Sequence, residues 1–439
     1  MKREELQSVF LQSEAPGGLS SHAMEQLIIK SQGNMQHLRK VLVIPPDHTR
    51  LNAYAGQLTA MLLKLLPANC RVDILPALGT HTPMGPHELN LAFPGLDHAL
   101  FREHHWREDI TKIGDVPAVF MAELSAGTLN QTVAVEVNRL LLEPSYERIF
   151  SIGQVVPHEV AGMANYNKNL LIGCGGASMI NNSHLLGALY GMERTMGRDN
   201  TPVHRLFDYA EQHFLNDPRI QYLLTVTTTN VQGKVQVESL AVGRGRGLFA
   251  QSIRVSQQKN INLLKKPVQK AVVTLQPDEF KSTWLGNKAI YRTRLMMADG
   301  GTLLILAPGV NKFGEDPAID LLIRKYGYAG RERIISALRD NADLQANQSA
   351  AAHLIHGSTE GRFEVVYAPV GLSEKEVKEV GFGYMNIQEA LNRYPTHKMQ
   401  PGYNHINGEE IYFIQNPALG LWALEGSFEP AESEGKPCN

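Results

Sequence analysis

The feature that most constrains this chain is its alternation of short β-branched runs, stopped by proline or glycine, with amphipathic segments. KVLVIPP (40–46) reads as a buried strand ended by two prolines. DHTR follows it, and AYAGQLTAMLLKLL (53–66) then has the apolar spacing of a helix. RVDILPALGTH (71–81) reads as the next strand, PHELNLAF as a helix start, QTVAVEVNRLLL (131–142) as an alternating segment and ERIFSIGQVVPH (147–158) as another strand. Such alternation predicts an α/β domain with a largely parallel sheet. In these sheets ligands bind beyond the carboxyl ends of the strands, where DHTR, GTH and VVPH all fall. YLLTVTTTN and VQVESLAVG predict a hairpin, and GRGRGLFAQS, which lacks the last glycine of GxGxxG, predicts a turn and helix start.

A second rhythm begins near residue 270. AVVTL predicts a strand, EFKSTWLGNKAIYRTRLMMA (279–298) one long helix, and TLLILAP a strand. Helices at PAIDLLIRKYG, GRERIISALRD, SEKEVKEV and NIQEALNRY and strands at RFEVVYAP and EIYFIQNP follow. A chain of 439 residues exceeds one ordinary core. The expected organisation is an α/β domain at 1–268, a second at 269–430, and a polar, disordered tail at 431–439.

A net charge of −2 gives no general attraction to nucleic acid or anionic lipid. No apolar run approaches the ~18 residues of a membrane span, and MKREELQSVFLQSEAPGG has no apolar core of a secretory signal. Cys70, Cys174 and Cys438 lie far apart, which excludes a disulfide framework and suits a cytoplasmic setting.

Histidines carry the candidate chemistry. His81, His87, His98, His104 and His105 crowd one stretch, and His158, Lys168 and His184 mark another. A zinc hydrolase would need a second histidine four residues after the HE of PHEVAG, and none is there. A serine hydrolase would need GxSxG, and Cys174 lies in a GCGG turn with no evident helix behind it. The remaining reading is acid–base work by paired imidazoles, His104 or His105 with His158, which suits a racemase handling a proton on either face. Taken singly, each histidine reads as easily as a structural residue. Lys168, among Asn165, Asn167 and Asn169, reads as a lysine turned toward a ligand, with the asparagines holding backbone and ligand amides in place.

IGQVVPHEVAG, Lys168 ten residues after His158, and NNSH ending at His184 resemble the signature of the nickel-pincer lactate racemase family; DHTR, GTH and the HxW region near 104 are similar too. The resemblance implies two α/β domains with the active site between them. It implies a nickel complex of a pyridinium bis-thio mononucleotide tethered at Lys168, with His184 as metal ligand and His104 and His158 as the acid–base pair. Thr49 and Arg50 would lie near the cofactor phosphate. WLGNKA (284–289) looks like the family's second-domain helix, so Trp284 would pack near the cofactor and Lys288 would hold the substrate carboxylate.

Departures bear on the substrate. Thr82 stands where lactate racemases carry an arginine after the GTH histidine, and Leu285 where they carry a glutamine. Losing an arginine removes a carboxylate anchor. With the added asparagines, this points to a longer polyhydroxy acid, met by Thr82 with His105 held as the alternative to His104. SIGQVVPHEVAGMANYNKN and GALYGMERTMGRDNTPVHRLFDYAE resemble the branch of the family associated with C2 epimerisation of sugar acids such as D-gluconate and D-mannonate, and the resemblance implies that activity here. The alternatives are racemisation of lactate or another short 2-hydroxy acid, or non-catalytic sugar-acid binding. The family reading implies a need for cofactor-making enzymes and allows a homo-oligomer.

Overall fold

The computed structural model describes residues 6–230, 232–418 and 420–428. The chain forms two compact units that divide between Asn260 and Ile261. The division lies ahead of the expected position near 268, because INLL, expected to be linker, is a strand of the second unit. The expected tail at 431–439 lies outside the described residues.

In the first unit β1 (Val9–Gln12) and α1 (Ser21–Gln32) precede β2 (Lys40–Ile44), α2 (Ala55–Leu65) and β3 (Arg71–Ile74). α3 (Pro86–Ala92) leads to an antiparallel ribbon, β4 (Ile110–Val116) and β5 (Val133–Asn138), with α4 (Ala118–Leu124) between. β6 (Arg148–Gln154) runs into two short strands, β7 (Pro157–His158) and β8 (Gly162–Met163). Then come α5 (Asn167–Leu171), α6 (Ala177–Tyr190), α7 (Met192–Thr195), α8 (Pro202–Phe214), β9 (Ile220–Thr229), β10 (Val235–Gly243) and α9 (Arg246–Asn260).

The main sheet has the order β1-β10-β9-β6-β2-β3. β9, β6, β2 and β3 are parallel, while β10 returns antiparallel as the hairpin expected from the sequence. Alternation sorts the side chains: Val41, Val43, Phe150 and Ile152 join one apolar cluster with Met24 and Ile28 of α1 and Leu58 and Leu62 of α2. α5 and α9 pack on β6 and β9, with Asn169 of α5 reaching Ser151 between those two inward residues. The sheet is thus covered on both faces, as parallel strands require. The third strand stops at Ile74 instead of continuing toward His81, since Pro76 cannot donate to the ladder.

In the second unit β11 (Ile261–Leu264) pairs with β18 (Leu421–Leu424). β12 (Val268–Thr274), β13 (Met297–Ala307), β14 (Glu364–Pro369), β15 (Gly383–Tyr384), β16 (Gly402–Ile406) and β17 (Glu409–Ile414) form a sheet of order β15-β14-β13-β12-β17-β16, parallel except at β16–β17. The long helix expected over 279–298 is instead α10 (Thr283–Gly286) and α11 (Lys288–Thr293), followed directly by β13. Asn287, buried between them, accepts a bond from the Tyr367 hydroxyl through its side chain and so ties the break to β14. Further helices are α12 (Pro317–Tyr326), α13 (Arg331–Asp340), α14 (Ala342–Ala346), α15 (Gln348–Gly357), α16 (Glu374–Glu379) and α17 (Ile387–Arg393). Among the described residues no helix is long and apolar enough to cross a membrane.

Candidate functional site

Because β6, β2 and β3 are parallel neighbours, the loops leaving their carboxyl ends are brought side by side. After β2, Asp47 caps the turn at His48–Ala53, accepting from the Thr49 amide at 3.2 Å and the Thr49 hydroxyl at 2.6 Å. Arg50 kinks that turn, with φ −126° and ψ 46°. After β3, Gly79 takes φ +58° and donates its N–H to the Gly173 carbonyl at 2.9 Å, which ties this loop to the end of α5. Two residues on, His81 places Nδ1 2.5 Å from Asp47 Oδ2. Burial alone would push the Asp47 carboxyl up; His81, Thr49 and His48 outweigh it and hold the group well below the usual carboxylate range.

The third loop carries the lysine. His158 is buried, and its Nδ1 accepts from the amides of Val160 at 3.1 Å and Ala161 at 3.3 Å. The neutral ring therefore carries its hydrogen on Nε2. Asn165 (φ 75°) and Tyr166 (φ 58°) both adopt left-handed backbone before α5. Such residues cost about 1–3 kcal/mol each and persist only where the surroundings hold them. Here the surroundings are explicit. A Cβ on Gly153 would lie 1.5 Å from Asn165 Nδ2. The Tyr166 ring packs at 4.5 Å on Tyr222 and 5.2 Å on Phe249. Asn167 Nδ2 donates to Asp208 at 2.7 Å and Glu211 at 3.2 Å. Asn169 Nδ2 reaches the carbonyls of Ile44 and Ile152 and the Ser151 hydroxyl. Of the two roles expected for the asparagines, backbone and ligand holding, the structure shows bonds to the protein, which clamp the segment onto β2, β6 and α8.

Lys168 is what this clamp presents. It is densely surrounded yet retains some solvent-accessible surface. Burial lowers its pKa to about 8, with the Arg50 guanidinium adding to the fall and Glu159 opposing it. The GCGG segment is the turn from α5 into α6: a Cβ on Gly175 would meet the Leu171 carbonyl oxygen at 1.8 Å. The helix not foreseen behind Cys174 is α6, and it carries His184. His184 Nδ1 lies 2.6 Å from the Ile180 carbonyl, so Nδ1 donates and the lone pair is on Nε2. Burial lowers its pKa to about 4, the Ile180 carbonyl opposing and the Lys168 charge adding to the fall. The mutual influence of Arg50, Glu159, Lys168 and His184 marks one neighbourhood.

His104 lies beside the same turn, deep in the protein. Asn138 Oδ1 accepts from the Leu140 amide at 3.0 Å, so its Nδ2 is the atom that faces His104 Nδ1, also at 3.0 Å. This fixes the hydrogen of His104 on Nε2, which sits buried near the Gly175 carbonyl without a well-aligned hydrogen bond. Burial lowers its pKa to about 4. His105 is different: it is exposed, with Nδ1 2.7 Å from Asp109 and Nε2 3.1 Å from Glu103, in a surface ion-pair cluster. Thr82 is exposed next to His81.

In the second unit Trp284 and Lys288 lie in and just after α10, joined through backbone bonds to the loop after β13. Trp284 stacks on His353 at 4.2 Å, and His353 bonds the hydroxyls of Tyr291 and Tyr328. The Lys288 ammonium lies 5.4 Å from the Phe280 ring centre.

Sequence reasoning did not single out Asp47, His81 or Asn138 as site residues, although Asp47 and His81 sit in DHTR and GTH. It also missed α8, whose Thr201 cap and apolar spacing are legible, and with it His204. His204 is buried near Lys168 and Arg246, with its pKa lowered by burial to about 3. GRGRG is a turn and helix start: Arg244 bonds Asn216 and Arg246 pairs with Asp208.

Residues 21–197 match the family model of the lactate racemase N-terminal domain. That span contains Asp47, Thr49, Arg50, His81, His104, His158, Lys168 and His184. No curated protein matches the chain. A crystal structure of a protein from Thermotoga maritima is similar, with TM-score 0.80, 23% identity, and 94% of this chain and 100% of that one covered. The lactate racemase apoprotein from Thermoanaerobacterium thermosaccharolyticum is similar with TM-score 0.67, 16% identity, and 95% of each chain covered. The two-unit, mostly parallel α/β fold is the one these structures share.

Proposed function

We propose that this protein is a racemase or epimerase acting at C2 of a 2-hydroxy acid with a nickel-pincer nucleotide. The observation that carries the reading lies in the segment matching the lactate racemase domain: a lysine with a lowered pKa lies within electrostatic reach of an imidazole that presents a lone pair. Several features fit the group. An amine must be neutral to form a covalent tether, and Lys168 is shifted toward that form. A metal-bound histidine commonly donates its other N–H to a carbonyl, as His184 does to Ile180. Among the described residues no cluster of three or more His, Cys, Asp or Glu could hold a metal, so a metal at His184 would need donors from an organic ligand. Arg50 and Thr49 offer a guanidinium and a hydroxyl to its phosphate.

When bound, such a group supplies nickel and a ring that accepts and returns hydride. The chain's part is to hold it at Lys168 and His184, to orient the substrate and to manage protons. His158 and His104 are the proton-handling pair, and in the observed geometry each presents an N–H. Lys288 is assigned to the substrate carboxylate, Trp284 to packing at the cofactor and Thr82 to a substrate hydroxyl. With the asparagines committed to the protein, the preference for a sugar acid rests on Thr82, on Leu285 and on the resemblance to the sugar-acid epimerase branch. A short 2-hydroxy acid such as lactate is the second reading, favoured by the match to the lactate racemase domain.

Two measurements test this. Protein co-expressed with cofactor-making enzymes is expected to carry stoichiometric nickel and a mass adduct on Lys168; a clean mass without nickel would overturn the cofactor assignment. NMR detection of C2–H scrambling over gluconate, mannonate, malate and lactate separates the substrates. A loaded protein that binds these acids without scrambling any of them would be a binding protein.

A further inference from the structure

The lysine loop is held from one side by α8. His204, Asp208 and Glu211 are spaced i, i+4 and i+7, so they share one face of that helix. Asn167 Nδ2 donates to Asp208 Oδ1 at 2.7 Å and to Glu211 Oε2 at 3.2 Å. Glu211 Oε1 accepts from the Tyr222 hydroxyl at 2.8 Å, and the Tyr166 hydroxyl bonds the same carboxylate. From α9, Arg246 Nε donates to Asp208 Oδ2 at 3.2 Å and Nη2 to the Asp199 carbonyl at 2.7 Å. His204, Asp208, Glu211 and Arg246 all lie beyond residues 21–197, the span that matches the family domain.

Among the described residues, Asn167 Oδ1, both ring nitrogens of His204 and Nη1 of Arg246 are buried without a hydrogen-bond partner. These atoms belong to one place. The Asn167 amide and the Arg246 guanidinium each bond Asp208 through another nitrogen, so Oδ1 and Nη1 sit on planar groups already anchored there. The His204 ring is one helical turn from Asp208 and 5.4 Å from the Phe249 ring, and the Arg246 guanidinium lies 5.0 Å from that same ring. One His204 nitrogen lies near the Met163 carbonyl without an aligned hydrogen bond. In the neutral ring that nitrogen carries the hydrogen and the other presents a lone pair.

The chemistry of these atoms selects their ligand. Asn167 Oδ1 and the His204 lone pair accept, whereas Arg246 Nη1 donates. An anion does not serve Asn167 Oδ1, and a cation does not serve Arg246. A water has two hydrogens for the acceptors and a lone pair for the guanidinium, and about three polar partners is usual for a buried water. We propose that one buried water, bound by Asn167, His204 and Arg246, completes a positioning site for Lys168 together with Asp208 and Glu211. Asn167 is the first residue of α5 and directly precedes Lys168, so fixing both ends of its amide fixes where the amine is presented. The charges acting on that amine are those of Arg50 and Glu159, so the part of α8 is position and not charge. The inference rests on the reading of Lys168 as the cofactor tether.

The first test needs no cofactor. A crystal structure of the full chain that shows ordered water is expected to place one water within hydrogen-bond distance of Asn167 Oδ1, His204 and Arg246 Nη1. Side chains that close on one another with no water between them would overturn the proposal. The second test follows the amine. Trace acetylation gives the Lys168 labelling midpoint, with exposed Lys375 as reference. Asp208→Ala removes the acceptor shared by Asn167 and Arg246, and the midpoint is expected to rise by about one pH unit, leaving about tenfold less neutral amine at pH 7. His204→Phe removes one partner of the water and is expected to move the midpoint the same way. Asp208→Asn keeps an oxygen for Asn167 and is expected to restore most of the parent's value. Variants that lose stability while the folded-state midpoint stays at the parent's value would overturn the proposal, because a merely structural role predicts that result. In co-expression with cofactor-making enzymes, Asp208→Ala is expected to carry about tenfold less Lys168 adduct than its parent. If the parent itself carries no adduct while the midpoints move as expected, the tether reading has failed and the positioning of Lys168 stands.

Discussion

The Lys168 amine gives the sharpest quantitative test of the site. Its pKa falls from 10.5 to about 8 through burial, with Arg50 adding and Glu159 opposing. At about 1.4 kcal/mol per tenfold change, this drop is roughly 3.4 kcal/mol of penalty on the charged form. At pH 7 about a tenth of Lys168 is neutral, against roughly 0.03% for an ordinary lysine, a ~300-fold gain in reactive amine. The stability consequence has a definite sign. Between about pH 8 and 10.5 the unfolded chain binds the proton and the folded chain does not, so stability rises with pH across that window. Below pH 8 both states are protonated and the penalty is present in full. Lys168→Met is therefore expected to stabilise the first unit by up to ~3 kcal/mol at pH 7, with the gain shrinking as pH rises through the window. Trace acetylation followed by peptide mass spectrometry gives the labelling midpoint, with exposed Lys375 as internal reference. Urea unfolding read at Trp106, with Trp284 and Trp422 replaced by Phe, gives the stability of the first unit. A Lys168 profile that coincides with that of Lys375, or a Lys168→Met variant less stable than its parent, would refute the reasoning. Arg50→Gln should move the midpoint upward.

Three further outcomes follow from the same contacts. Asn169→Asp exchanges the amide that donates to Ile44, Ser151 and Ile152 for a buried group that only accepts; a loss of ~3–5 kcal/mol at pH 8, smaller at pH 5, is expected in the same urea assay, and a change under ~0.5 kcal/mol would dismiss the clamp. Gly153→Ala puts a methyl 1.5 Å from Asn165 Nδ2, so ~1–3 kcal/mol of overpacking is expected, together with a Lys168 labelling midpoint shifted toward that of Lys375. His353→Phe leaves the buried Tyr291 and Tyr328 hydroxyls without this partner, and a loss of about 1–3 kcal/mol in the second unit is expected by urea unfolding read at Trp284.

The parts of the fold legible in the sequence are those with a period of their own. β2, α2, β6 and the β9–β10 hairpin follow from apolar spacing bounded by proline, glycine or a turn, and the carboxyl ends of β2 and β6 mark the candidate site edge. α6 was hidden because ASMINNSHLLGALY is buried along much of its length, so its apolar residues trace no single stripe. The expected helix over 279–298 failed for the opposite reason: its apolar spacing suited a helix, but Asn287 turns its side chain inward to the Tyr367 hydroxyl and divides it. Tertiary hydrogen bonding of this kind has no local signature.

The site shows the same division. His158, Lys168 and His184 stand out in the sequence as candidates by type and spacing, because a strand end, a short helix and a helix face supply them in order along one stretch. Their chemical states were not legible. Whether an imidazole accepts or donates depends on what meets its Nδ1: two amides for His158, Asn138 for His104, the Ile180 carbonyl for His184 and Asp47 for His81. Two of these partners come from within the same turn or helix, and two come from more than 30 positions away. The asparagines make the point most directly. Polar residues around a lysine look from sequence like ligand contacts, yet a loop with two consecutive left-handed residues must be bonded to the sheet at several places to exist at all. Asn167 and Asn169 supply that bonding, and Asn165 fills the space left by the missing side chain of Gly153. These three side chains are therefore spoken for by the fold, whereas Thr82, next to His81, is exposed.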